Sequence, residues 1–198
     1  MSYSHSHTGV MSSTVVIIVI CILVYLAQMA DPAITSTYAL SLPALQQGRY
    51  GVLLTSMFMH GSIDHIMMNM ISLWYIAETL HGTMKAPSYI LTYVTSGIVG
   101  GLAWAWMAAQ AGDVTSSCVG ASGAIFGLMG AQGACLIKLR HHGWDVNAAW
   151  SSWIGVLAVN LFYGLLTPGI ALSAHVGGLV CGILMGLVFC HWGNGAYE

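Results

Sequence analysis

Six apolar runs, each about as long as a bilayer is thick, occupy most of this chain and restrict it to one kind of surroundings. They lie at about 14–30, 62–80, 87–109, 122–138, 148–166 and 170–191. A helix needs roughly 20 residues, at about 1.5 Å each, to cross a hydrocarbon core about 30 Å thick. In lipid the backbone N–H and C=O groups must be paired within the segment, so runs of this length read as helices. Only 5% of the residues are charged, against roughly 25% in a soluble domain, too few to coat a water-facing surface. The expectation is an all-α, polytopic membrane protein built as a six-transmembrane-helix bundle. One domain spans 14–192, with a short cytoplasmic tail at 1–13 and a C-terminal tail at 193–198. No basic patch exists for nucleic acid, and the net charge of −2 points to no partner beyond the lipid bilayer.

The first run lacks Lys or Arg ahead of it and ends in "AQMAD", without a small-x-small cleavage site. It reads as a retained span rather than a signal peptide. Basic residues set orientation. Lys85 follows span two, and Lys138 and Arg140 end span four, so those loops share the cytoplasmic side, while Arg49 stands on the other. Both termini then face the cytoplasm in a multi-pass arrangement in the cell membrane, and spans two, four and six begin at the outer face. The connection from Asp31 to Gly61 is long and rather apolar, which predicts short helices at the outer interface. Cys21, Cys118, Cys135, Cys181 and Cys190 are odd in number and mostly within apolar runs, so a disulfide framework is not expected. Nothing near Cys118 lowers its pKa, and it reads as unreactive.

Polar side chains within spans are costly and point to function. In "HGSIDHIMMNM", His65 and Asn69 are four apart on one helix face. "GASGAIFG" opens span four with Ser122, and "SAHVGG" puts His175 near the start of span six. From Ser122 to Lys138, and from His175 to His191, is in each case about 24 Å at 1.5 Å per residue. Serine and histidine therefore sit at matched depth below the outer surface. Such a pair suits a nucleophile and its general base. Ser122 is expected to cap span four, whose free N–H groups and dipole favour an oxyanion, with Asn69 as a further donor. Asp64 adjoins His65 but points elsewhere, leaving a Ser122–His175 dyad without a carboxylate. Gly120 and Gly123 flank the serine. Gly123–Gly127 and Gly178–Gly182–Gly186 have the spacing that lets helices touch backbone to backbone.

These three motifs, "HGSIDHIMMN", "GASG" and "AHVGGLVCG" on spans two, four and six, resemble the rhomboid intramembrane serine proteases in their minimal six-span bacterial form. The resemblance implies a serine endopeptidase that cuts transmembrane helices of other membrane proteins near their outer ends, with no metal and no cofactor. Ser122 would be the nucleophile and His175 the base. His65, Asn69 and the Ser122 N–H would form the oxyanion site. His60 would stand at the inner edge of the first outer loop, Glu78 would be a structural hydrogen-bonder, and Gly178 would pack span six on span four. Two departures stand out. Gly48-Arg49 replaces the family's Trp-Arg, which bears on how the loop is anchored. Phe126 replaces a tyrosine that stacks on the catalytic histidine, which keeps the ring and loses the hydroxyl. Span five, with Trp153 and Phe162, is the gate the family suggests.

Plainer readings exist for each residue. Ser122 alone suits packing or capping, and Asn69 alone suits interhelical bonding. Trp104, Trp106, Trp150 and Trp153 fit an interfacial belt. His5 and His7 suit a floppy tail, and His141 and His142 suit a headgroup-facing loop. Two rival functions remain: a silent relative that binds transmembrane clients, and a small transporter or channel. A transport path needs polar residues right through the membrane, and here the inner halves of spans four and six are almost wholly apolar.

Overall fold

The computed structural model describes residues 4–166 and 171–190. The break at Thr167-Pro168-Gly169, His191 and the C-terminal tail lie outside the described residues, as do the side chains of His5 and His7. The long helices are α1 (Ser4–Ala30), α5 (Ile63–Leu80), α6 (Ala86–Gln110), α7 (Ser122–His141), α8 (Asn147–Leu166) and α9 (Leu172–Phe189). Of these, α1, α6, α7 and α9 contain stretches long and apolar enough to cross a membrane. The other two carry more polar groups: Asp64, His65, Asn69 and Glu78 on α5, and Asn147, Ser152 and Asn160 on α8. The chain is an all-α, multi-pass membrane protein. Large apolar side chains such as Val16, Leu23, Ile71, Leu184 and Val188 point outward, as a lipid-facing surface requires.

Helix α1 starts at Ser4, well before the expected boundary near residue 14. Hydroxyls make this possible. Ser13 donates to the Gly9 carbonyl and Thr14 to the Val10 carbonyl, so polar residues are satisfied inside the helix. Thr14 also bonds the Tyr89 hydroxyl at 2.9 Å, which ties α1 to α6.

Helix α7 is the centre of the bundle. Its most apolar stretch is 83% buried, against 22% for that of α1. Glycines explain how it is enclosed. A Cβ added at Gly178 would lie 2.0 Å from the Gly123 carbonyl oxygen, and one at Gly182 would lie 1.7 Å from that of Gly127. Helices α7 and α9 thus meet main chain to main chain along the expected small-residue stripe. Helix α6 joins them, since a Cβ at Gly100 would come within 2.6 Å of the Ala174 oxygen.

This close approach overturns one expectation. Cys135 of α7 and Cys190, just past α9, are paired as a disulfide with Cα atoms 5.5 Å apart. Counting cysteines could not reveal that two of them lie on facing backbones within bridging range. The first connection holds α2 (Ala33–Tyr38), α3 (Leu42–Gln46), α4 (Val52–Thr55) and a 3-10 turn at Ser56–Phe58, as expected. Strand β1 (Leu40–Ser41) pairs antiparallel with β2 (Ser117–Cys118). Although Gly48 precedes it, Arg49 still anchors the loop by donating to the Thr37 carbonyl at 3.0 Å.

Candidate active site

The N-terminal ends of α5, α7 and α9 bring the sequence candidates together. Ser122 Oγ lies 2.9 Å from His175 Nε2. The two residues are 53 apart in the chain, and the contact between Gly178, one turn along α9 from His175, and Gly123, next to Ser122, sets their spacing. Ser122 is the first residue of α7 rather than its cap. Ala121 holds the cap position, with no side-chain bond to the helix end. The serine hydroxyl is therefore turned to the histidine, while its N–H remains one of the free donors of the helix start.

The Phe126 ring stacks on His175, with centroids 4.2 Å apart and planes 13° apart. Stacking, burial of the ring and the serine contact fix its orientation. Among the described residues His175 Nδ1 is buried without a hydrogen-bond partner, and no carboxylate orients the imidazole.

Gly120 shapes the turn before the serine. Its φ of +131° is a conformation that favours glycine, and a Cβ there would lie 2.8 Å from the His65 ring. Its N–H donates to the Ser56 carbonyl at 2.9 Å, pinning the turn to the connection between α1 and α5. His65 Nδ1 in turn accepts from the Gly61 N–H at 3.5 Å. Asn69 is buried and donates through Nδ2 to the His65 carbonyl at 2.9 Å, so one of its two amide hydrogens is already committed within α5.

His60 is fully buried beside the site, its ring edge-on to that of His65 at 5.2 Å. Burial, with a smaller contribution from His65, lowers its pKa from 6.5 to about 3, so the ring is neutral. Its peptide is clamped by Gln28 of α1, whose Oε1 accepts from the His60 N–H at 3.0 Å and whose Nε2 donates to the His60 carbonyl at 3.2 Å. Sequence reasoning missed Gln28. Its only signal was an amide near the end of an otherwise apolar run. Burial pushes the Cys118 thiol up to about 11, consistent with an unreactive cysteine.

A cavity of about 100 Å³ is lined by Ser122, His175, His65, Asn69 and Phe126, together with Asn160 of α8. Asn160 is a second residue the sequence reading did not single out. Among the described residues no three of His, Cys, Asp or Glu gather as a metal site.

Glu78 is exposed and borders a second cavity of about 390 Å³. Trp153 packs inward against α7. Its Nε1 donates to the Met129 carbonyl at 2.8 Å, and its ring packs where a Cβ on Gly133 would sit. Trp150 stacks on it at 5.1 Å. Phe162, by contrast, is exposed.

Comparison with known proteins adds an independent line. A family model described as the Rhomboid domain matches residues 47–192. The chain is similar to RHOMBOID-like protein 5 of Arabidopsis thaliana, 33% identical over 161 residues, which is 79% of this chain and 50% of the plant protein. It is similar to RHOMBOID-like protein 1 of the same plant, 35% identical over 141 residues, 69% of this chain and 34% of that protein. Rhomboid protease GluP of Bacillus subtilis is 28% identical over 138 residues, 70% of this chain and 26% of that protein. The chain thus spans half or less of the length of these relatives.

Proposed function

The chain belongs to the rhomboid family, and from that membership and the Ser122–His175 contact we propose that it is an intramembrane serine endopeptidase. Its substrates are transmembrane helices of other membrane proteins, which it cleaves in or near the bilayer. The observation that carries this reading is the 2.9 Å approach of Ser122 Oγ to His175 Nε2 beside a cavity.

In this mechanism His175 Nε2 takes the Ser122 proton as Oγ attacks the scissile carbonyl. The oxyanion forms at the start of α7, where the Ser122 N–H, the second amide hydrogen of Asn69 and the His65 ring supply donors and the helix dipole favours negative charge. His175 then gives the proton to the departing amine. Water entering the cavity repeats the cycle on the acyl-enzyme. Phe126 and burial restrain the imidazole in place of a carboxylate. The scheme uses no metal and no cofactor.

Helices α5 and α8 complete six crossings in this reading. Both termini face the cytoplasm, and the site opens to the outer face of the cell membrane, because Lys85, Lys138 and Arg140 share the side opposite Arg49. The substrate helix enters from the lipid and unwinds at the site.

The test is labelling of purified protein by a fluorophosphonate probe, followed by cleavage of a transmembrane reporter. The native chain labels and cleaves, whereas Ser122→Ala and His175→Ala do neither. A native chain that stays unlabelled, in a detergent where another rhomboid protease labels, refutes the reading and favours the silent client-binding relative.

A further inference from the structure

Asn160 is a strongly polar residue in the C-terminal half of α8, preceded by Val159 and followed by Leu161 in a largely apolar stretch. An amide in such a helix is expensive unless its groups are satisfied. Its Nδ2 is satisfied locally, donating to the Val156 carbonyl at 2.8 Å. That bond fixes which end of the amide is which, and it leaves Oδ1 as an acceptor without a partner among the described residues. Asn160 borders the same cavity as Ser122 and His175, so this residue belongs to the wall of the candidate site.

A transmembrane segment that unwinds for cleavage breaks its own backbone ladder. Each freed N–H then needs an acceptor, and each freed carbonyl a donor, in surroundings poor in water. The groups on the α5 and α7 side, including the Ser122 N–H and the Asn69 amide, are donors suited to the carbonyl oxygen. Val159, beside Asn160 on the same wall, offers the substrate no polar group.

Building on the protease reading, we propose that Asn160 is a substrate-binding residue, whose Oδ1 accepts a hydrogen bond from a backbone N–H of the unwound substrate segment in the cavity it shares with Ser122. The ligand class is an extended polypeptide backbone, so Asn160 contributes to holding the cleaved segment without choosing its side chains. It takes no part in moving the Ser122 proton.

The experiment compares native protein with Asn160→Leu, Asn160→Ala and Asn160→Asp. Leucine keeps the volume, alanine opens space, and a neutral aspartic acid keeps a carbonyl acceptor. Three readouts are taken on each: fluorophosphonate labelling rate, kcat and KM for a transmembrane reporter peptide, and thermal unfolding. Loss of a hydrogen bond of this kind costs about tenfold in kcat/KM. Asn160→Leu and Asn160→Ala are expected to lose at least that, mainly through KM, with labelling rate and unfolding temperature close to native. Asn160→Asp is expected to return to within threefold of native. The proposal is overturned if Asn160→Leu cleaves as native does, if it slows labelling as much as cleavage, or if Asn160→Asp is no better than Asn160→Leu. A native chain that neither labels nor cleaves removes the protease reading and this proposal with it. Native labelling with undiminished Asn160→Leu cleavage removes this proposal alone.

Discussion

Replacing Gly178 by alanine probes whether backbone contact between α7 and α9 sets the spacing of the dyad. The new Cβ would lie 2.0 Å from the Gly123 oxygen and 2.9 Å from its carbonyl carbon, whereas ordinary contact begins at about 3.4 Å. Neither neighbour is a side chain that can swing aside. The helices must part by about 1.4 Å there, the difference between 3.4 and 2.0 Å. Gly178 lies one turn from His175, and Gly123 adjoins Ser122. Most of the displacement reaches the 2.9 Å contact and carries it to about 4 Å, beyond hydrogen-bond reach. A misplacement near 1 Å costs on the order of 100-fold in rate. Overpacking itself costs about 1–3 kcal/mol. Gly178→Ala should therefore label with fluorophosphonate and cleave a reporter about 100-fold more slowly, with a clearly lower unfolding temperature in detergent. Gly155→Ala on α8 is the control, since a Cβ there meets nothing within 4 Å. The reasoning fails if Gly178→Ala stays within threefold of native activity, or if Gly155→Ala loses as much.

Two further outcomes follow from the connection between α1 and α5. Gln28→Leu strips the partners from a buried N–H and carbonyl of His60, at a cost of about 2 kcal/mol; unfolding at the native temperature would show that the clamp contributes nothing. His60, neutral when folded, has a pKa of about 3 against an ordinary 6.5, so the unfolded chain binds the extra proton first. Its contribution to stability is complete above about pH 6.5 and is lost as pH falls toward 3, at up to about 1.4 kcal/mol per pH unit. His60→Leu should flatten the dependence of unfolding temperature on pH between 6.5 and 4.5, and an unchanged slope would refute the assignment.

The residues of the candidate site were readable in the sequence because a bilayer turns position along the chain into depth. Once spans and orientation are fixed, Ser122, His175, His65 and Asn69 fall at one level without any knowledge of packing. Rotation about each helix axis is harder to read. In a soluble protein the apolar stripe marks the inner face, but lipid is as apolar as the core, and α7 is buried almost all round. The glycine spacing on α7 and α9 was the one rotational signal, and it brought the correct faces together. Gln28, Asn160 and the Cys135–Cys190 pair depend on rotations that no such stripe reports. Trp153 shows the same gap: its place along α8 is legible, while its bond to the Met129 carbonyl is not.

The distance between Ser122 and His175 is set by two peptide backbones in contact, with no side chain between them at Gly123 and Gly178. Side chains adjust their rotamers as temperature and lipid order change, whereas a main-chain contact has almost no soft coordinate. The pair should therefore hold its spacing from a stiff, cold membrane to a fluid, warm one. The same rigidity narrows mutational drift, because no neighbouring substitution can compensate for an atom added where two backbones already touch.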